Sequence, residues 1–472
     1  MWRIIRILLG IYLIGNLIGA YFYWHRIDQF LRFMPRVPAA SFAAPVNELE
    51  AQKQDLAYLK TVLDYDRSFS QSARLEFETK IEKLTARETL LSKAEFYMST
   101  RELMALADNA HTNVTERPAF KDFNRSGIDV YPFADGLYVV RAHKNHADLI
   151  GLKVVAIEGM AIHEVMTALE KYSGGVKQWR DLRSLNFLRS PELLHVAGIA
   201  ANPNRLNVTT ESASGKTRDV SLLALDSVDS DYYRHAYLTL TPRQLPDEKG
   251  EWVQSLDQNS DIISPYLTDI FDVYKTAEIG SGLYIRSNSL MPSPENPVKE
   301  QLLSAIGAVP HEGYKFIALD LRWNPGGDYG SAVAFAKQAA RATSNDGKIY
   351  VDVGPNTFSA AIVFTALLKQ YAPDKTFLIG EPMGDRPQFW AERGKPFVLP
   401  NSGYWINYST GYHDWENGCA DTHKFCFPPN KRYDAKIGLL ALDAVVEPTY
   451  RDYTSGRDLV MERIMQEQTE AR

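Results

Sequence analysis

Between residues 316 and 381 the chain alternates short apolar runs with stretches of helical spacing. Residues 316–321, 349–353 and 376–380 are rich in branched and aromatic side chains and have strand length, whereas residues 362–368 are almost wholly apolar and read as a buried helix. Strands alternating with helices predict a parallel sheet. Upstream, Leu49, Leu56, Leu59 and Val62 recur at helical spacing, and Leu91, Phe96, Met98, Leu103, Met104 and Leu106 continue the theme, so residues 46–110 predict a helical region. From Ile128 the texture changes to short strands at 136–141 and 153–157, a helix at 162–172, and a hairpin in which 206–210 and 220–223 flank Ser214-Gly215. Residues 282–286 predict one more strand, and the charged stretch 457–472 a terminal helix.

This pattern divides the chain into an apolar N-terminal segment (1–25), a helical region reached through a Pro- and Ala-rich linker at 35–45 (together 26–127), a compact β-rich module (128–225), an α/β core (226–456) and a charged C-terminal helix (457–472).

In a parallel sheet the functional groups gather at the carboxyl ends of the strands. Here the first strand runs into Arg322-Trp-Asn-Pro-Gly-Gly327, the second leads through residues 354–358 to Ser359 at the head of the apolar helix, and the third ends at Glu381. A Gly-Gly turn can aim its amides outward. A serine at a helix start meets the positive end of the dipole, which favours charge on a neighbouring oxyanion. Together these are the parts of an acyl-transfer site: the amide of Gly326 or Gly327, foremost Gly327, with that of Ala360 as oxyanion donors, Ser359 as nucleophile and Glu381 as acid. Taken singly, Ser359 also reads as a helix cap and Gly326-Gly327 as a plain turn.

Composition narrows the function. The 472 residues are 45% hydrophobic and 23% charged, ordinary for a globular protein. Fifty-two basic against 58 acidic residues leave a net charge of −6, which argues against a nucleic-acid partner. Residues 7–23 carry no charge and are bordered by Trp2, Tyr21, Tyr23 and Trp24. As a helix they would span roughly 25 Å, near the thickness of a bilayer core, and we read them as a retained membrane anchor. A cleaved signal peptide and a buried core helix are the other readings. Arginines on both sides leave the orientation open. Cys419 and Cys426, the only cysteines, lie close together behind this segment and predict a disulfide in an oxidising compartment, with free thiols as the other reading, so the globular part is expected outside the cytoplasm, in the periplasm or at the cell surface. His413 and His423 nearby match no common zinc spacing, and neither a metal nor a cofactor is expected.

Asp320-Leu-Arg-Trp-Asn-Pro-Gly-Gly327 resembles the Asp-Leu-Arg-x-Asn-Pro-Gly-Gly signature of the C-terminal processing (tail-specific) protease and tricorn-core family of serine peptidases. Phe358-Ser-Ala-Ala361 is similar to that family's nucleophile segment, Gly380-Glu-Pro-Met-Gly384 to its next strand end, and Ala107-Asp-Asn-Ala-His-Thr112 to the Asp-x-x-His-Thr segment of members with a catalytic histidine. The stretch from Ala147 to Gly159 resembles their PDZ-like module, and Leu399-Pro-Asn-Ser-Gly403 the branch without a catalytic lysine. The resemblance implies an α/β, crotonase/ClpP-like parallel-sheet protease core with an N-terminal helical region and an inserted PDZ-like β-rich module, here behind an N-terminal transmembrane helix. One departure matters: where the processing proteases place their lysine, this chain reads Met383-Gly-Asp-Arg-Pro-Gln388. Arg386 stays protonated and cannot act as a base, so the resemblance leaves the histidine-type arrangement.

A serine hydroxyl needs a base within reach, and histidine titrates nearest neutrality. His111 is the expected base, with His413 as rival. Glu381 is the expected orienting acid, with Asp108 and Glu447 as alternatives. Asp320, Arg322 and Asn324 are expected to brace the turn. The reading is a membrane-anchored, extracytoplasmic serine peptidase acting on protein or peptide substrates. Its alternative is a non-catalytic protein on the same scaffold that binds a peptide or an apolar ligand. Acyl-thioester chemistry on a crotonase-like sheet finds no cofactor fingerprint. The PDZ-like module either binds a peptide terminus by strand addition or only covers the cleft. The oligomeric state is not legible.

Overall fold

A computed structural model describes residues 27, 31–227, 235–246, 250–256, 264–307, 309–419 and 423–470. The expected anchor at 7–23 lies outside the described residues, and among those described no helix is long and apolar enough to cross a membrane.

The helical region forms where the capping residues allow. The Asn47 side chain caps α1 (Glu48–Lys60), Ser70 caps α2 (Gln71–Thr85), and Ser92 with Glu95 closes a capping box on α3 (Lys93–Ala105). These helices bury Leu56, Leu59, Phe77, Tyr97 and Met104 in one core with the module that follows. That module is a sheet of β1 (Ile128–Phe133), β2 (Gly136–His143), β3 (Lys153–Ile157), β4 (Arg205–Glu211) and β5 (Thr217–Leu223), neighbours in that order and antiparallel throughout. Between β3 and β4 runs α4 (Lys177–Leu188), and the short strand Trp252–Gln254 pairs with β2 from beyond residue 225.

The core sheet holds β6 (Tyr274–Ile279), β7 (Gly282–Ser287), β8 (Tyr314–Asp320), β9 (Thr343–Val353) and β10 (Thr376–Gly380) side by side, with Ala444–Val445 beyond β10. Every pairing is parallel except β6 with β7. Alternate residues serve opposite faces, as the pleat requires. Ile317, Leu319 and Val351 meet Ala336, Ala339, Val363 and Leu367 of α5 (Val333–Ala342) and α6 (Ala360–Tyr371). Phe316 and Tyr350 meet Val460, Met461 and Ile464 of α7 (Leu459–Glu470). Covered on both faces, these strands read as continuous apolar runs rather than as alternation.

Between β10 and Ala444–Val445 the chain forms an antiparallel ribbon of β11 (Gln388–Ala391) and β12 (Gly411–Asp414). Cys419 and Cys426, in the loop after β12, are joined in a disulfide. The segment expected as a linker at 35–45 is strapped to the body. Phe33 is buried, Tyr58 donates to the Pro38 carbonyl (2.7 Å), and Tyr408 to that of Pro35 (3.3 Å). Prolines lack a donor, but their neighbours' and their own carbonyls still accept from the hydroxyls of the body.

Candidate active site

Three loops at the carboxyl end of the core sheet are laced together before any chemistry is considered. The Thr357 hydroxyl after β9 donates to the Leu321 carbonyl after β8 (2.8 Å), and the Phe358 amide donates to the Asn324 carbonyl (3.1 Å). Asn324 in turn donates from its side chain to the Ser287 carbonyl at the end of β7 (2.7 Å). Behind the turn, the Arg322 guanidinium bridges Asp320 (3.0 Å), Asp458 (3.2 Å) and Asp352. These contacts brace the turn, with Asp320 and Asn324 buried and Arg322 largely so.

The lacing forces Ser359 into an unusual backbone conformation, φ 56° and ψ −122°, at the head of α6. A side chain other than glycine occupies this region only when its surroundings over-determine it, and such strain clusters at functional sites. A sharp strand-to-helix turn of this kind lifts the hydroxyl clear of the helix.

The turn after α3 carries His111 to that hydroxyl, with Nε2 2.9 Å from Oγ. The turn is held from below by Asp66, whose buried carboxylate accepts from the Thr112 hydroxyl (2.6 Å) and from the Ser409 amide (2.8 Å). The threonine beside the histidine is therefore an anchor for its loop. The imidazole lies between two rings: Phe358 at 4.3 Å between centroids and Phe389 at 5.3 Å, with planes tilted by 28° and 13°. Trp179 continues the stack beyond Phe358 at 4.1 Å. Such a sandwich restricts rotation of the imidazole plane.

The far nitrogen, Nδ1, faces Asp385, 3.8 Å from its Oδ2, and neither atom makes a hydrogen bond. Asp385 is only 6% exposed, and burial raises its carboxyl to about 7. Burial, followed by the charges of His413 and Arg393, lowers His111 to about 3. The ring is thus neutral at physiological pH, the state a base requires. Asp385 is delivered by Gly384, whose amide donates to the Thr357 carbonyl (3.0 Å). A Cβ at position 384 would lie 2.3 Å from the Pro355 carbonyl oxygen, so glycine is needed for this approach.

The carboxylate beside the ring is Asp385, whereas the expected Glu381 lies elsewhere. Glu381 lies one residue past β10 and points into a cavity of about 50 Å³ shared with Tyr131, Tyr266, Arg322, Asp352 and Asp458. Burial, then Glu447, raises its carboxyl to about 7. The chain must run four residues further to come level with the ring. The alternatives fare no better: Asp108 binds Arg180 (3.5 Å) and Arg386 (3.4 Å), and Glu447 neighbours Glu381. His413 stands behind Phe389 (4.8 Å) with its Nε2 3.2 Å from Glu392 Oε1, away from Ser359. Asp385 was legible in principle, because it occupies the very segment where a catalytic lysine is missing.

The oxyanion donors also narrow. The Gly326 amide is taken by the Asn324 side chain (2.9 Å), so it is not available as a donor. Gly327 and Ala360 remain, the latter being the first residue of α6, whose N–H has no acceptor within the helix. Gly326 matters by contact instead. At φ 101° a Cβ there would lie 2.8 Å from Ser359 Cβ and 2.9 Å from Ala360 N. Gly326→Ala is expected to lower kcat/KM at least about 100-fold by displacing the Ala360 donor, and to lower Tm as well. Peptide hydrolysis and a thermal melt check both. Among the described residues no group of three His, Cys, Asp or Glu side chains could hold a metal ion.

No family model and no curated protein matches this chain. Solved structures do. Mature CPAF complexed with lactacystin superposes with a TM-score of 0.53 at 12% identity, covering 88% of this chain and 97% of that one. Another structure of mature CPAF gives 0.53 at 13% identity, with 88% and 96% covered. The photosystem II D1 C-terminal processing protease aligns over 86% of this chain and 98% of its own at 13% identity, with a TM-score of 0.37. At these identities the likeness concerns the fold. The chain has the mixed α/β fold of mature CPAF, with several sheets.

Proposed function

We propose that this protein is a membrane-anchored, extracytoplasmic serine peptidase that hydrolyses peptide bonds through an acyl-enzyme on Ser359. The observation that carries the reading is the 2.9 Å contact between His111 Nε2 and Ser359 Oγ. A non-catalytic binding protein on this scaffold would have no use for it. With Nδ1 carrying the ring proton, Nε2 accepts the hydroxyl proton as Oγ attacks the scissile carbonyl. The Gly327 and Ala360 amides receive the developing oxyanion, and the imidazolium returns the proton to the leaving amine. Water, deprotonated by the same nitrogen, then releases the acyl group. Asp385 holds the ring in the required tautomer. The disulfide supports an oxidising compartment, and the apolar run at 7–23 supports the anchor.

The full chain, incubated with a fluorophosphonate, is expected to carry one adduct, mapped by mass spectrometry to the peptide containing Ser359. Lactacystin, the compound in the CPAF complex, is expected to compete for it. A folded chain that takes up no label at slightly alkaline pH would refute the peptidase reading.

A further inference from the structure

We infer that Asp66 is a positioning residue for the base: its carboxylate fixes the slot that holds the His111 ring against Ser359, an inference that rests on the peptidase reading above. Asp66 is 0% exposed, and four groups donate to it. Oδ1 accepts from the Ser68 amide (2.7 Å) and the Ser68 hydroxyl (2.6 Å), Oδ2 from the Thr112 hydroxyl (2.6 Å) and the Ser409 amide (2.8 Å). A buried charge is costly unless it is hydrogen-bonded. An ionised carboxylate offers about four acceptor sites and no donor, so these partners satisfy it and each bond has one direction. An amide could not take its place. One backbone N–H faces each oxygen, so either orientation of an asparagine would set its own NH2 group against an N–H.

This joint is tied to both sides of the imidazole. On one side Thr112 directly follows His111, and Asn109 closes the same turn by donating to the Thr112 hydroxyl (3.1 Å) and to the Ser409 hydroxyl (2.9 Å). On the other side Ser409 leads into the ribbon. Its carbonyl accepts from the Arg67 amide (2.7 Å), and the next residue, Thr410, donates its amide to the carbonyls of Ala391 and Glu392 (3.0 Å each). Ala391 ends β11, and Phe389 of the same strand stacks on the imidazole. Asp66 therefore sets the spacing between the turn that carries the base and the wall the base stacks against. Through them it sets the 2.9 Å approach of Nε2 to Oγ. A buried polar network that is fully satisfied holds one arrangement. Displacing a reacting group by about 1 Å is enough to cost on the order of 100-fold in rate.

The test uses the full chain and reads kcat and KM on a fluorogenic peptide, the rate of fluorophosphonate labelling, and Tm, with all rates taken well below the Tm of every variant. Thr112→Val keeps the shape of the side chain and removes the hydroxyl, whereas Thr112→Ser keeps the hydroxyl. Thr112→Val is expected to lower kcat and the labelling rate together by about 100-fold, with little change in KM. Thr112→Ser should recover most of that loss. Asp66→Asn should reproduce it, and the Asp66→Asn/Thr112→Val chain should be no slower than the slower single variant, because the two residues act as one unit. A merely structural role would lower Tm and leave kcat of the folded chain unchanged, and that result for Thr112→Val overturns the positioning. So does a serine variant as slow as the valine one, or losses that multiply in the double variant. Should Asp66→Asn fail to fold, the valine and serine variants decide alone. A parent chain that takes up no label overturns the peptidase reading, and the positioning with it.

Discussion

Ser359→Ala is expected to reduce peptide hydrolysis on the order of a million-fold while leaving Tm close to that of the parent. The Oγ atom is the only part of this side chain that engages the base, and its removal leaves the oxyanion amides, the stacked imidazole and the loop lacing intact. A purified variant measured on a fluorogenic peptide beside a thermal melt separates the two effects. Ser359→Gly sharpens the test. At φ 56° and ψ −122° serine is strained by on the order of 1–3 kcal/mol, and glycine is not. The glycine variant should be as inactive as the alanine one, yet unfold at higher urea concentration. Activity retained by either variant would remove Ser359 from the chemistry. A glycine variant no more stable than the alanine one would mean that the backbone carries no strain.

Asp385→Asn should cost about 10⁴-fold in kcat, because an amide can donate to Nδ1 and so fix the ring in the wrong tautomer. The pH profile adds a signature that simple misfolding would not produce. The Asp385 carboxyl, raised to about 7 by burial, is neutral below that pH and ionised above it. The ionised form can only accept a hydrogen bond from Nδ1–H, which leaves the Nε2 lone pair facing Ser359, whereas the neutral acid can donate to Nδ1 and favour the opposite tautomer. The rate should therefore rise with pH through about 7. His111, lowered to about 3, adds no limb of its own in that range. In the asparagine variant the limb near 7 should vanish and a flat, low profile remain. The parallel variant Glu381→Gln leaves the ring's surroundings untouched and should keep the limb. If Glu381→Gln abolished the limb and Asp385→Asn preserved it, the two carboxyls would have to exchange roles.

Much of the core could be read from local pattern. The three strand ends, the apolar helix behind Ser359 and the hairpin at Arg205–Glu211 and Thr217–Leu223 follow from periods of 2 and 3.6, which act within a few residues. The segment at 35–45 has no regular structure and is largely exposed, as its Pro-rich text implies, but that text says nothing about the contacts it makes. The carbonyls of Pro35 and Pro38 accept from Tyr408 and Tyr58, contacts that no local pattern announces. The choice between Gly326 and Gly327 is a different matter. The conformational freedom of Gly326 was legible, but whether its amide faces the cleft or Asn324 depends on one side-chain rotamer in the next loop.

What the sequence by itself determined is the set of parts: a parallel sheet, a serine at a helix head, a Gly-Gly turn, and a histidine in a turn after a helix. Tertiary structure alone decided which carboxylate meets that histidine. Glu381 and Asp385 stand four residues apart in the same loop, and both are pushed to about 7 by burial. The choice between them is made by the Gly384–Thr357 hydrogen bond, which turns the chain back toward the imidazole, and by the Arg322 cavity, which encloses the other carboxyl. Both are contacts between segments distant in sequence, and no local period encodes them.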